Sequence, residues 1–192
     1  MKSALQYSNV KSNNISLFLV PSIDVLLVGS SNIRRWIFPG HNKNKNKSVN
    51  LGISRALTSS LLTDSYFHDM RQYCPKNVIY MCGNNDLRAG IPSHTISQNI
   101  LQFIIHMRTI FLSCNMSPRI IVCSLLDTPD IPDIDVHTVN REIYEYINKF
   151  GPQVVYVDIN SDLSSDDFVD NGIHLNDRGY SKVYNTLVPY LV

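Results

Sequence analysis

Four short stretches carry residue types that could do chemistry, and each follows or precedes an element that could aim them. Gly29-Ser30-Ser31-Asn32 comes directly after an apolar run. Glycine permits a sharp turn there, and a serine at the start of a helix sits at its positive end, which favours a developing anion. The same residues also make an ordinary turn. Gly83-Asn84-Asn85-Asp86 follows a second apolar run. Its amides and carboxylate can bond their own backbone, or an asparagine can present a carboxamide N–H to an oxyanion. Val49 to Arg55, VNLGISR, reads as ending where a helix begins, with its backbone N–H groups exposed. The fourth stretch, Asp170-Asn171-Gly172-Ile173-His174-Leu175-Asn176, sets a carboxylate within one turn of a histidine. That placement suits base catalysis, although a single histidine is also a common structural or surface residue.

The elements that must position these stretches alternate along the chain. Asp24 to Val28, Asn77 to Cys82, Arg119 to Ser124 and Gln153 to Asp158 are short and apolar on successive residues, as strands buried on both faces are. A weaker strand is expected near Ser48 to Leu51, giving five. Between them, Ile96, Ile100, Phe103, Ile104, Met107, Ile110 and Phe111 recur at helical steps behind Ser93 as N-cap. Val139, Ile143, Tyr146, Ile147 and Phe150 mark another helix, stopped by Gly151-Pro152. A third helix is expected directly after Arg55, and a last one from Asp177 to Leu191 behind an Asn176 cap. This is the pattern of helices packed on a mainly parallel sheet, with the ligand site beyond the carboxyl ends of the strands.

Composition narrows the classes. The chain has 192 residues, 44% of them hydrophobic and 17% charged, so it can bury a core without disulfide or metal staples. No run of about 20 apolar residues could span a bilayer. Ile15 to Val28 is broken by Pro21 and Asp24 and has no small-residue cleavage site, so it does not read as a secretory signal. Cys74, Cys82, Cys114 and Cys123 form no C-x-x-C pair, which fits free thiols, a cytoplasmic location and no metal or other cofactor. We expect residues 1–20 to be an extension and 21–192 a single domain.

Charge is unevenly placed. Between Asp24 and Asp64 lie Arg34, Arg35, Lys43, Lys45, Lys47 and Arg55 with no acid, whereas Asp127 to Asp177 holds 12 acids against Arg141 and Lys149. The first group is a candidate anion-binding patch. Part of it, Gly40 to Lys47, reads as a mobile surface loop. Asp86 is expected to fasten its own turn, and Asp158 to bind backbone near the site.

Taken in order, the four stretches resemble the blocks of the SGNH, or GDSL-like, hydrolase superfamily, from Val25 to Leu191. GSSNIRRW is similar to the G-S-S-x-I-R-x-W variant of the first block, NLGISR to the second, GNND to G-x-N-D, and the His174 stretch to D-x-x-H. The resemblance implies a three-layer α/β/α sandwich of flavodoxin-like topology and an ester hydrolase acting on a small-molecule ester. It implies Ser31 as nucleophile, His174 as base, and an oxyanion hole from Ser31, Arg55 and Asn85. Two positions depart from the pattern. Arg55 stands where the oxyanion glycine normally lies, with Gly52 as a substitute if the loop is reshaped. Three residues before His174 stands Asn171, and the carboxylate Asp170 is four before. An amide orients an imidazole badly; the same exchange in the serine-protease template lowers kcat by roughly 10⁴. Asp170 through a bulge, a Ser31–His174 dyad, or an impaired site are therefore all open. Some domains that resemble this superfamily bind RNA without catalysis, and a nucleic-acid or anion-binding module is the alternative function.

Overall fold

The computed structural model describes residues 20–39, 47–169 and 172–192. Lys43, Lys45, Asp170 and Asn171, most of the 40–47 stretch and all but the last residue of the expected extension lie outside the described residues. The apolar runs become β1 (Ser22–Gly29), β2 (Ser48–Asn50), β3 (Cys74–Met81), β4 (Arg119–Cys123) and β5 (Val154–Val157). Every pairing is parallel, and the order across the sheet is β2-β1-β3-β4-β5. That is the flavodoxin-like order, whose strand direction of travel reverses between β1 and β3.

Side chains alternate between the two faces of a strand, and both faces here are apolar. Leu26, Val28, Val78, Tyr80, Ile120 and Val122 point into one core. That core is covered by α2 (Asp64–Met70), α4 (Ser93–Ser113) and α5 (Asp133–Ile147). Phe103 of α4 is its hub, with ring centroids 4.9 to 6.0 Å from Tyr80, Phe67 and Tyr66. Val25, Leu27, Ile79, Met81, Ile121 and Cys123 point the other way, under α1 (Ser31–Arg35) and α6 (Asp177–Leu187). A short α3 (Asn84–Arg88) caps the exit of β3.

Several boundaries differ from the sequence reading. No helix begins at Arg55: the first helical turn is 3-10, Ser59–Leu61, and α2 starts only at Asp64, behind Thr63 as N-cap. The N-cap of α4 is Pro92 rather than Ser93, because a cap position needs no N–H of its own. The last helix stops at Leu187 and tightens into a 3-10 turn, Val188–Tyr190, where Pro189 cannot donate to an α-helical ladder. Asn176 does cap α6, accepting from Gly179 N at 3.0 Å. All four cysteines are free, and burial pushes the Cys123 thiol up to about 12, so it packs rather than reacts.

Candidate active site

The turn after β1 is dictated by lack of room. Gly29 has φ +146°, and a Cβ there would stand 2.0 Å from the Met81 carbonyl oxygen on β3. Ser30 N donates to that same oxygen at 3.0 Å. The chain is thereby bent against β3, and Ser31 becomes the first residue of α1, 9% exposed. Its Oγ lies 3.2 Å from Nε2 of His174. Its backbone N–H has no acceptor among the described residues, as a first-turn amide of a helix should not.

The exit of β2 is fastened to this turn from the side. Asn50 Nδ2 donates to Ile33 O (2.6 Å) and Trp36 O (3.2 Å), while its Oδ1 accepts from Gly52 N at 2.9 Å. Gly52 must be glycine, since a Cβ would lie 2.3 Å from Arg34 N. Its amide is occupied by Asn50, so Gly52 does not serve as the substitute donor entertained above. Ile53 N donates to Gly29 O (2.9 Å), and Tyr66 Oη both accepts from Gly29 N (3.2 Å) and donates to Leu51 O (3.0 Å). Beyond these ties Arg55 takes a left-handed backbone, φ +61°, and its amide has no acceptor among the described residues.

The third stretch does more than form its own turn. Asn85 Nδ2 donates to Ala56 O at 3.0 Å, leaving one carboxamide hydrogen unused among the described residues, and Arg88 Nη1 reaches Asn85 Oδ1 at 3.5 Å. Asp86, wholly buried, accepts from Thr58 N on both oxygens at 3.0 Å and from Thr58 Oγ1. Burial pushes its carboxyl up, and the Thr58 hydrogen bonds work against that shift. Asp86 thus fastens the 56–58 segment to α3, rather than its own turn. It is a structural clamp on the Arg55 loop that the sequence did not disclose; the only signal was its place in GNND. Asn84 likewise binds Leu126 N and O, at 3.1 and 2.7 Å.

His174 arrives from the other end of the sheet. An isolated antiparallel bridge joins Phe168 to Leu175, and Val169 N donates to His174 O at 2.8 Å. Leu175 N reaches Asn32 Oδ1 at 3.3 Å, and Tyr180 Oη donates to Asn32 O at 2.7 Å, which joins this loop and α6 to the serine turn. Asp167 holds the loop base: Lys182 Nζ (2.6 Å), Ser164 N (2.8 Å) and Arg178 Nε (3.0 Å) surround its carboxylate and hold its pKa down to about 2. Burial lowers the His174 pKa, and the charges of Arg35 and Arg88 lower it further. The neutral imidazole, the form that can take a proton, is therefore favoured. Arg34, Arg35 and Lys47 are exposed. Asp158 accepts from Ser124 Oγ (3.1 Å) and Asn160 N (3.0 Å), ordering the exit of β5.

A serine, a histidine at hydrogen-bond distance and unengaged donors at the carboxyl edge of a parallel sheet define the hydrolase class of site. The GDSL-like lipase/acylhydrolase family matches residues 34–182, and the chain belongs to it. Among curated proteins none matches. Solved structures share the fold at low identity. A Streptococcus pneumonia protein described as a platelet activating factor is 17% identical, with a TM-score of 0.76 over 92% of this chain and 87% of that one. A carbohydrate esterase family 3 protein from Talaromyces cellulolyticus is 17% identical, with a TM-score of 0.69 over 87% and 95%. A member of the lipolytic G-D-S-L family from Veillonella parvula is 15% identical, with a TM-score of 0.65 over 86% and 96%. No helix among the described residues is long and apolar enough to cross a membrane.

Proposed function

We propose that the chain is a carboxylic ester hydrolase that works through an acyl-enzyme on Ser31. The observation that carries this reading is the 3.2 Å contact between Ser31 Oγ and His174 Nε2, made across 143 residues of sequence. His174 takes the Ser31 proton as Oγ adds to the ester carbonyl carbon. The oxyanion is met by the N–H groups of Ser31 and Arg55 and by the free carboxamide hydrogen of Asn85. Each such donor is worth about 10² to 10³ in rate. The proton then passes from His174 to the departing alkoxide. Water, deprotonated by His174, adds to the acyl carbonyl; the acid leaves and the proton returns to Ser31.

The lowered pKa of His174 supports its role as base, and the unengaged amides of Ser31 and Arg55 support theirs. The experiment is Ser31→Ala assayed on phenyl acetate. Turnover should fall to the background rate with the circular dichroism spectrum unchanged, and retained turnover refutes the reading. Asp170 is proposed as the group that orients the imidazole. Asp170→Asn should then lower kcat strongly, by roughly 10⁴ in the full-triad limit, while Asn171→Asp should not raise it. The reverse result assigns the orienting position to Asn171.

A further inference from the structure

Ser31 and Arg35 stand four residues apart on α1, one helical turn, so their side chains leave the same face of that helix. That face is the one from which Ser31 Oγ meets His174. The arginine one turn beyond the nucleophile is exposed and has no carboxylate partner among the described residues. The ion pairs among the described residues are Lys76–Asp24, Arg88–Asp130, Arg178 with Asp166 and Asp167, and Lys182–Asp167.

Arg88, the other guanidinium close to the site, differs. It is forked onto Asp130 at 2.6 and 3.1 Å and bonded to Thr128 Oγ1 at 3.0 Å, so its charge is already matched. Arg35 instead acts through space on two titratable groups bonded to the serine turn, lowering the pKa of His174 and opposing the rise at Tyr180. No acid lies in the sequence between Asp24 and Asp64, so nothing supplied by its own flanks neutralises it.

A second feature lies beside the loop that carries His174, since Gly172 of that loop lines it. Beyond β4 and β5 lies a cavity of about 290 Å³ with an apolar wall of Pro129, Leu163 and Phe168. Asp127 is the only titratable side chain among its described lining residues, and Asp127 Oδ1 is buried with no hydrogen-bond partner among the described residues. Burial pushes the Asp127 carboxyl up, so this cavity offers an apolar wall rather than a cation, and Arg35 is left as the positive charge beside the serine turn.

We propose that Arg35 is a specificity-determining residue that selects esters bearing a carboxylate close to the scissile bond. The proposal rests on the acyl-enzyme reading and deepens it by naming the substrate class. It predicts that a negative charge on the substrate raises kcat/KM, whereas a neutral cleft would be indifferent.

The test uses matched pairs of esters at low ionic strength: 3-acetoxybenzoate against phenyl acetate, with the charge on the alcohol side, and monophenyl adipate against phenyl hexanoate, with the charge on the acyl side. In at least one pair the wild-type protein should favour the anionic member about tenfold in kcat/KM. That ratio should fall about tenfold in Arg35→Gln, be largely kept in Arg35→Lys, and shrink as salt is added. Removing the cation should also move the acidic limb of the phenyl acetate pH profile upward, because His174 then holds its proton more easily; an ornamental surface arginine would leave that limb in place. A ratio near one in both pairs, or a ratio untouched by Arg35→Gln, overturns the proposal. A protein that turns over no ester, with or without Ser31, overturns the acyl-enzyme reading instead. Benzoate binding followed by the His174 ring resonances then decides on Arg35 alone: binding lost in Arg35→Gln supports the anion site, and no binding refutes it.

Discussion

Ser31 and His174 meet at one hydrogen bond, yet the two sides of that bond differ in how much they rest on backbone packing and how much on side-chain ties. The serine side is packed backbone on backbone. Gly29 and Gly52 are positions where a single Cβ would collide with a neighbouring main chain, at 2.0 Å from Met81 O and 2.3 Å from Arg34 N. The histidine side has one such contact, at Gly179, where a Cβ would stand 2.2 Å from Asp167 O, and otherwise hangs on side-chain hydrogen bonds: Asn176 Nδ2 to Asp166 O and Phe168 O at 2.8 and 3.1 Å, Leu175 N to Asn32 Oδ1 at 3.3 Å, and the cage around Asp167. Backbone packing resists displacement because the surrounding sheet would have to move with it, while a hydrogen-bonded loop yields locally. The nucleophile is thus set by the sheet and the base by its tethers, so damage to the first should register as lost fold and damage to the second as lost turnover.

Gly29→Ala should have the largest effect on stability. The φ of +146° strains any L side chain, and the added methyl must displace the Met81 carbonyl that Ser30 N also uses. Backbone strain and overpacking together predict a loss of roughly 2–6 kcal/mol, a large part of a domain's usual margin. Urea denaturation measures it. Gly90→Ala is the control: its φ is +72° but nothing lies within 4 Å of the new methyl, so it should lose only about 1 kcal/mol. Equal losses at the two positions would show that dihedral strain alone, and not close packing, sets the serine turn.

Asn176→Ala probes the other side. It removes the cap bond to Gly179 N and both donations that hold the His174 loop to residues 166 and 168. The cap alone predicts about 1–2 kcal/mol. Because His174 lies two residues away, kcat should fall about tenfold with KM little changed, a loss of roughly 1.4 kcal/mol in transition-state stabilisation. Thermal melting and steady-state kinetics on one ester give both numbers. A stability loss with no change in kcat would mean that the imbalance between the two sides is illusory and that His174 is fixed elsewhere.

This contrast also explains what the sequence disclosed. The sheet was legible because buried parallel strands must be apolar on successive residues, and the central stretches of β1, β3, β4 and β5 are; β3 begins three residues before the expected start, at Cys74, because Cys74 and Pro75 pair with Ser22 and Ile23 of β1 where the pattern is no longer apolar, and β2 lies within the expected Ser48 to Leu51. The serine turn was legible because sharp strand exits need glycine, which is visible as a letter. What stayed hidden were the hydrogen bonds that cross between stretches. Asp86 reads as turn chemistry from its neighbours, but its partner Thr58 is 28 residues away, and nothing local pairs them. Asn32 and Asn50 carry no local sign of a role, yet each joins two elements of the site. The helix expected after Arg55 failed for a related reason. The 53–58 segment is pulled into place by Gly29 O, Asn85 and Asp86, and those outside partners outweigh its own helical tendency.

Arg55 gives the smallest effect and the sharpest test of that pull. Its φ of +61° is a conformation that costs a non-glycine residue about 1 kcal/mol, and its exposed side chain makes no ion pair among the described residues. Glycine would remove that cost while adding some entropy to the unfolded chain, so Arg55→Gly should stabilise the protein by about 0.5 kcal/mol. The amide proposed to meet the oxyanion is retained, so kcat should drop less than threefold. A loss of 10² or more would instead assign the work to the guanidinium, because that is the scale of removing a donor outright. Urea denaturation and kinetics on the same preparation separate the two. The clamps from Asn85 and Asp86 make this outcome follow: with Ala56 and Thr58 pinned on either hand, residue 55 has little choice of backbone, whichever side chain it carries.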